Sequence, residues 1–304
     1  MNNDMGYTAL ISNMQHFSTG DGPGIRSTIF FQGCNLRCPW CHNPEAIPRR
    51  PVLLFYKQRC RNCKLCVKAC PSGAHGDKEG QHIFVRSRCR LSGKCVLACP
   101  SDALRLSGTV KTLKEVLDYL YEDIDFYEAS GGGVTLSGGE PMLQADFCAA
   151  VAKNCKEKGI SVIIDTAGNV DYSEFEKVIP FVDSFYYDLK GASEEDYRGK
   201  IGGSLKLTVM NMERLVKDGA EVTARIPIIS GYNDSPAYCI NLCEILKKAG
   251  VKNVHLLPFH RLGSSKYDSL GIYYPYRDTH PPDKEKMDSL LEVFKNDFGT
   301  KIEW

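Results

Sequence analysis

Short runs rich in β-branched and aromatic residues alternate with longer amphipathic runs along most of this chain. "STIFFQG" (27–33) and "GGVTLSGG" (132–139) read as strands, the second followed by the helical "MLQADFCAAVAKNCKEKG" (142–159). "SVIIDTAG" (161–168) precedes a helix over 172–180, and "SFYYDLK" (184–190) precedes one over 206–218. "EVTARIPII" (221–229) leads into a helix over 236–249, and "NVHLLPFH" (253–260) precedes a last helix over 283–297. Strand and helix repeating in this way predict a parallel α/β sheet, and six units suit a partial barrel or a doubly wound sheet.

Polar residues collect where the predicted strands end. The first strand runs into "GCNLRCPWCHNPE", the second ends in Ser137-Gly138-Gly139-Glu140, and the third ends in Asp165-Thr166-Ala167-Gly168. The fourth ends in Asp188-Leu189-Lys190, the fifth carries Arg225, and the sixth ends in His260. Parallel α/β folds build their sites at the carboxyl ends of the strands. Each short motif alone is weak, because a Gly-Gly-Glu is usually just a turn, but six at one edge make a site.

Composition narrows the class. The chain has 304 residues, 43% of them hydrophobic, which suffices for a buried core. Its 38 basic and 37 acidic residues leave a formal charge of +1, so no global basic field argues for nucleic acid. No apolar run approaches the ~18 residues of a membrane span. "MNNDMGYTALISN" lacks the basic start and apolar middle of a secretion signal, so the expectation is a soluble cytoplasmic protein.

Fourteen cysteines in such a compartment are not a disulfide scaffold, and ten of them fall between Cys34 and Cys99. The other four, Cys148, Cys155, Cys239 and Cys243, sit in helical runs and read as small buried hydrophobes. "CRNCKLCVKACP" from Cys60 is C-x2-C-x2-C-x3-C-P, the ligand run of a bacterial 4Fe-4S ferredoxin. A second copy, "CRLSGKCVLACP", starts at Cys89. In a two-cluster unit the last cysteine of each run serves the other cluster, so Cys60, Cys63, Cys66 and Cys99 would hold one. Cys70, Cys89 and Cys95 remain for the second, with Ser92 where a fourth thiolate is expected. Serine binds iron more weakly, so that site holds a three-iron form, a serine- or water-ligated four-iron form, or nothing. A zinc site is the competing reading of residues 53–106, and the repeated ligand run argues against it.

Cys34, Cys38 and Cys41 stand at C-x3-C-x2-C. Three thiolates leave one iron of a four-iron cluster open, as a catalytic metal needs, unless a distant cysteine closes the set. With a Gly-Gly-Glu motif after the second strand, this spacing resembles the radical S-adenosylmethionine enzymes. "DGPGIRSTIFFQGCNLRCPWCHNPE" (21–45), "SGGEP", "DLK" and Leu257 to Gly263 narrow the resemblance to the glycyl radical enzyme activating enzymes, over essentially the full chain. The insert resembles that of the family's longer members.

The resemblance implies a partial (β/α)6 TIM-like barrel (1–52 and 107–304) carrying an inserted ferredoxin-like α+β domain (53–106). It implies a catalytic 4Fe-4S cluster on Cys34, Cys38 and Cys41, which cleaves S-adenosylmethionine and takes hydrogen from a backbone glycine of a partner glycyl radical enzyme. Trp40 and His42 would lie on the adenine side and His260 at the nucleoside. Gly138, Gly139 and Glu140 would meet the methionine amino group, and Lys190 its carboxylate. Asp165, Thr166 and Asp188 would hold a monovalent cation, or simply make strand-end hydrogen bonds. Arg225 reads as a cofactor contact or a buried structural arginine. Asp21, Gly22 and Arg26 would face the partner, although Asp-Gly-Pro-Gly is also plain turn chemistry. The insert clusters would relay electrons from a flavodoxin or ferredoxin, or serve only docking or stability. Two rivals remain: radical chemistry on a small molecule or other peptide, and a ferredoxin-type electron carrier, which would leave the strand-end motifs idle.

Overall fold

The computed structural model describes residues 6–303; the secretion-signal reading begins on residues 1–5, outside them. In chain order the strands are β1 (Thr8–Ser18), β2 (Arg26–Phe31), β3 (Val52–Phe55), β4 (His75–Lys78), β5 (Gln81–Phe84), β6 (Leu104–Ser107) and β7 (Thr109–Thr112). They continue with β8 (Gly133–Gly138), β9 (Ser161–Thr166), β10 (Ser184–Asp188), β11 (Val222–Ile228), β12 (Asn253–Pro258) and β13 (Gly299–Ile302).

Nine of these make one sheet in the order β13-β12-β11-β10-β9-β8-β2-β1-β7. From β2 to β13 every neighbouring pair is parallel, and β1 and β7 extend the sheet antiparallel to their neighbours. All six expected strands are present. Helices Ala145–Glu157, Tyr172–Val178, Leu205–Lys217, Pro236–Ala249 and Lys284–Lys295 provide the crossovers. Four of the five starts are capped: Asp171, Ser204, Ser235 and Asp283 each accept an amide hydrogen bond from the first helical turn, which satisfies a donor that has no partner within the helix.

The central strands are continuously apolar along their middles, as "SVIIDT" and "SFYYD" show, because both of their faces are buried there. The main core joins both layers and includes Val134, Leu136, Ile164, Phe175, Tyr187 and Leu242. Cys148, Cys155, Cys239 and Cys243 belong to it, as their helical positions predict. Among the described residues, no helix is long and apolar enough to cross a membrane.

Residues 52–107 fold beside the sheet rather than within it. β3 pairs antiparallel with β6, β4 with β5, and two short helices, Leu65–Ala69 and Lys94–Leu97, begin just after Cys63 and Ser92. This segment has its own small core of Leu53, Phe55, Cys66, Cys95, Ala103 and Leu104.

Candidate active site

The loop leaving β2 carries Cys34, Cys38 and Cys41, and its backbone is tied at both ends. Gly33 donates to Ala46 (2.7 Å), Cys34 to Ile47 (3.0 Å), and Arg37 to Ile201 (2.6 Å). Behind the thiols lies a second apolar cluster, with Leu36, Trp40, Tyr197, Phe259, Tyr267 and Tyr274. It keeps water from the loop's inner side. The Tyr267 hydroxyl donates to the Cys41 carbonyl (2.9 Å), and Lys266 reaches Asn43 and Glu45 at 2.6 Å each, so helix Ser264–Leu270 braces the loop from outside.

A cavity of about 410 Å³ opens over the thiols. Its walls bring together Cys34, Cys38, Trp40, Cys41, His42, Gly138, Gly139, Asp165, Thr166, Asp188, Lys190, Arg225 and His260, with Asp21. Six strand ends therefore do converge, and the volume suits a small cofactor. Burial pushes the Cys34 thiol up to about 11 and Cys41 up to about 12, and raises Cys38 as well. All three are free. Three half-buried, unpaired thiols at one spot suit a metal cluster, whose positive charge stabilises the thiolates that desolvation alone disfavours.

Charge is arranged with care on the cavity wall. Lys190 Nζ lies 2.5 Å from Asp188 Oδ2. Burial alone would lower Lys190, but Asp188 and Cys38 outweigh it and hold the ammonium charged. Arg225 spans Asp165 (3.5 Å) and Glu303 (3.0 Å), and Ser137 donates to Asp165 (2.8 Å). Burial and the Asp188 charge push Asp165 up, against the pull of Arg225. One oxygen of Asp165 and the Nε of Arg225 are buried without a partner, so the site offers an acceptor and a donor that its own residues leave unused. At the other wall His42 stacks on His260 (ring centroids 3.9 Å apart), and burial pushes His42 down to about 4, leaving a neutral aromatic surface.

Three expected site residues sit elsewhere. Glu140 is fully buried and does not line the cavity. Its carboxylate accepts from Thr166 Oγ1 (2.6 Å), the Ala167 amide (2.9 Å) and the Met142 amide (3.1 Å), so it clamps the ends of β8 and β9. Arg26 is 1% exposed, and so faces no partner surface in this arrangement. Its guanidinium donates to Thr135 Oγ1 (2.8 Å) and to the carbonyls of Val134 (2.6 Å) and Ser161 (3.2 Å). Gly22 packs directly against it, since an added Cβ would lie 2.7 Å from both Arg26 Cδ and Ile163 Cδ1. Asp21 does reach the cavity, held by Thr28 Oγ1 (2.7 Å).

Gly138 and Gly139 are required by packing as well as by any ligand. Gly138 has φ +116°, and a Cβ there would stand 2.3 Å from the Phe31 nitrogen; at Gly139 it would stand 2.2 Å from the Gly33 carbonyl oxygen. Sequence reasoning missed Glu303, Tyr232 (tilted against Trp40, ring centroids 4.9 Å apart) and Tyr267. The only signal for Glu303 was an acidic residue after a short β-rich run.

In the insert, Cys60, Cys63, Cys66 and Cys99 line one small cavity with Phe55 and His82. Cys70 and Cys89 lie close enough to Cys95 to help raise it, after burial. Ser92 is exposed.

A family model described as "4Fe-4S single cluster domain" matches residues 20–185. The trans-4-hydroxy-L-proline dehydratase activating enzyme of Clostridioides difficile is 41% identical, over 96% of this chain and 98% of that protein. This chain belongs to the glycyl radical enzyme activating enzymes. Another such activating enzyme, that of choline trimethylamine-lyase in Oleidesulfovibrio alaskensis, is 37% identical over 97% of both chains. The crystal structure of Streptococcus suis SuiB bound to S-adenosylmethionine shares the fold, at TM-score 0.51 and 12% identity, over 66% of this chain and 45% of that one. The activating enzyme's free thiols, strand-end cavity and family agree: this is a radical S-adenosylmethionine protein.

Proposed function

We propose that this activating enzyme holds its catalytic cluster on Cys34, Cys38 and Cys41 and uses the 410 Å³ cavity above them for S-adenosylmethionine. The observation that carries this is the convergence of three half-buried free thiols with six strand ends on one cavity. When bound, the 4Fe-4S cluster supplies one electron and an open iron, and cleavage of the sulfonium yields a 5′-deoxyadenosyl radical that takes hydrogen from a glycine of the partner.

The chain's own residues do the positioning. Lys190, kept charged beside Asp188, presents an ammonium to the methionine carboxylate. The Gly138 and Gly139 backbone, open for lack of side chains, accepts from the methionine amino group. The stacked His42 and His260, with Trp40, offer flat neutral surface to adenine. The unused Asp165 oxygen, with Thr166 and Asp188, suits a monovalent cation. Asp21, half-buried on the cavity wall, meets the glycine-bearing segment. Tight placement matters because a primary radical attacks whatever lies nearest.

The strands curl into a partial (β/α)6 barrel around this cavity, and residues 53–106 form a ferredoxin-like domain with one complete cluster on Cys60, Cys63, Cys66 and Cys99. A second, incomplete set is Cys70, Cys89 and Cys95. Both relay electrons from a flavodoxin or ferredoxin. Helix Ser264–Leu270 supports this route: it hydrogen-bonds the Cys41 carbonyl on one side, and on the other Arg86, three residues before Cys89, donates to the Ser269 carbonyl. A glycyl radical dehydratase is the partner to try first, because the relative at 41% identity activates one. Anaerobic incubation of the reduced enzyme, S-adenosylmethionine and such a partner should give a glycyl radical signal by electron paramagnetic resonance. Cofactor cleavage that yields no protein radical on any glycyl radical enzyme would redirect the reading to another substrate.

A further inference from the structure

Two histidines of the insert have no place in its cysteine pattern, yet they stand on its first cysteine set. The hairpin β4–β5 pairs His75 with Phe84 and Asp77 with His82. It folds back over the loop that carries Cys60, Cys63 and Cys66. Lys64 ties it down through Asp77 (2.5 Å) and the Gly80 carbonyl (2.7 Å), and the His82 amide donates to Asn62 Oδ1 (3.0 Å). The His82 ring lies against Phe55, with centroids 4.5 Å apart. Its Nδ1 is 3.5 Å from Cys60 Sγ and its Nε2 is 3.4 Å from Cys66 Sγ, both within hydrogen-bond reach of sulfur.

His75 fixes the tautomer. Its Nδ1 lies 2.9 Å from His82 Nε2, while its own Nε2 is buried without a partner. A neutral imidazole carries one N–H. The arrangement that leaves no buried donor unpaired puts the His75 proton on Nδ1, pointing at His82 Nε2. The proton of His82 then sits on Nδ1, facing Cys60 Sγ. His75 is itself held in place, stacked on Phe84 at 4.8 Å and 4% exposed.

We propose that His82, oriented by His75, is a positioning residue that donates a hydrogen bond to the Cys60 thiolate and so raises the reduction potential of the cluster on Cys60, Cys63, Cys66 and Cys99. The inference rests on the reading of the insert as a cluster-bearing relay. The physical reason is direct. Reduction adds negative charge that spreads onto the ligating sulfurs, and an N–H aimed at one of them stabilises the reduced form more than the oxidised one. The four cysteines share one cavity with this imidazole, and the thiols are free. The competing use of the same atoms is a single metal ion on Cys66, His75 and His82, whose donor atoms lie within 4.8 Å of one another. Cys63 and Cys99 on the same cavity favour the cluster.

The test uses the full chain, reconstituted anaerobically, with Cys34, Cys38 and Cys41 all changed to Ala so that only insert clusters contribute. Midpoint potentials are read by electron paramagnetic resonance during a redox titration, alongside iron, sulfide and zinc content. His82→Phe keeps the ring packing on Phe55 and removes the donor; His82→Gln restores an N–H; His75→Phe frees the His82 tautomer. The expected result is unchanged iron and sulfide with a midpoint lowered about tenfold in electron equilibrium by His82→Phe, or 59 mV for one electron. His82→Gln should recover part of it, and His75→Phe should fall between. An unchanged or raised midpoint at full cluster content overturns the inference while leaving the relay intact. Loss of the cluster from both His82 variants would make His82 an assembly residue and also overturn it. A parent insert without iron sinks the relay reading itself, and zinc that leaves with His82→Phe assigns the site to a single metal ion.

Discussion

Gly139→Ala is the most informative single change, because it tests whether the second strand end and the cysteine loop are one rigid unit. The Gly139 amide donates to the Phe31 carbonyl (2.9 Å) and the Glu140 amide to the Gly33 carbonyl (2.8 Å), so the end of β8 is laced to the end of β2. A Cβ at 139 would stand 2.2 Å from the Gly33 oxygen and 2.8 Å from the Ala46 oxygen. Carbon and oxygen need roughly 3.3 Å, so the loop must retreat by about 1 Å. Neither obstacle can rotate aside, because both are backbone and the Gly33 amide is bonded to that same Ala46 oxygen. Overpacking of this kind costs about 1–3 kcal/mol. At roughly 2–4 °C per kcal/mol for a large domain, the unfolding midpoint should fall by about 2–12 °C. Cys34 follows Gly33 directly and would move with it, whereas metal ligation tolerates about 0.2 Å. Calorimetry and iron analysis on reconstituted protein provide the assay, with Gly199→Ala as a control in open space. A Gly139→Ala protein that melts with the parent and holds as much iron would refute the reasoning.

Other changes probe separate parts of the account. Arg26→Leu leaves the buried Val134 and Ser161 carbonyls and the Thr135 hydroxyl without their donor, and should cost about 2–4 kcal/mol in urea unfolding without weakening partner binding by the folded fraction. Lys190→Met should weaken S-adenosylmethionine binding by roughly 10–100-fold, the worth of a hydrogen bond to a charged group; equal affinity in calorimetric titration would remove Lys190 from the carboxylate. Burial alone would raise Glu303, but the close approach of His255 Nδ1 (2.9 Å) and the charge of Arg225 outweigh it and bring it down to about 2. Its stabilising contribution is therefore complete above the ordinary glutamate range and lost as pH falls toward 2. Glu303→Gln should flatten the stability profile between about pH 4.5 and 2, and an unchanged acid limb would contradict the pairing.

The sequence made the parallel strands legible because each is a short apolar run ending in a distinctive polar motif, as in "SVIIDT" and "SFYYD". β1 was not legible: Ser12, Asn13, Gln15 and His16 dilute its alternation, and it is antiparallel, outside the strand–helix rhythm. β13 is four residues at a sheet edge, too short to carry a pattern. The residues that line the cavity were legible wherever a motif fixes the backbone, as at Cys34, Asp188 and His260. Placement was not legible where only the direction of a side chain decides. Arg26 in "DGPGIR" and Glu140 in "SGGEP" occupy the anticipated positions, but their side chains turn inward to partners more than twenty residues away, which no local spacing reveals. His82 escaped for the same reason, since its sulfur contacts exist only once the hairpin folds back.

The central claim is radical chemistry at Cys34, Cys38 and Cys41, and 5′-deoxyadenosine formation tests it most directly. Protein reconstituted anaerobically with iron and sulfide, reduced and mixed with S-adenosylmethionine should release the nucleoside, and a Cys38→Ala variant should release none. Protein carrying its full iron that forms no nucleoside, or a Cys38→Ala variant that forms as much as the parent, would contradict the account.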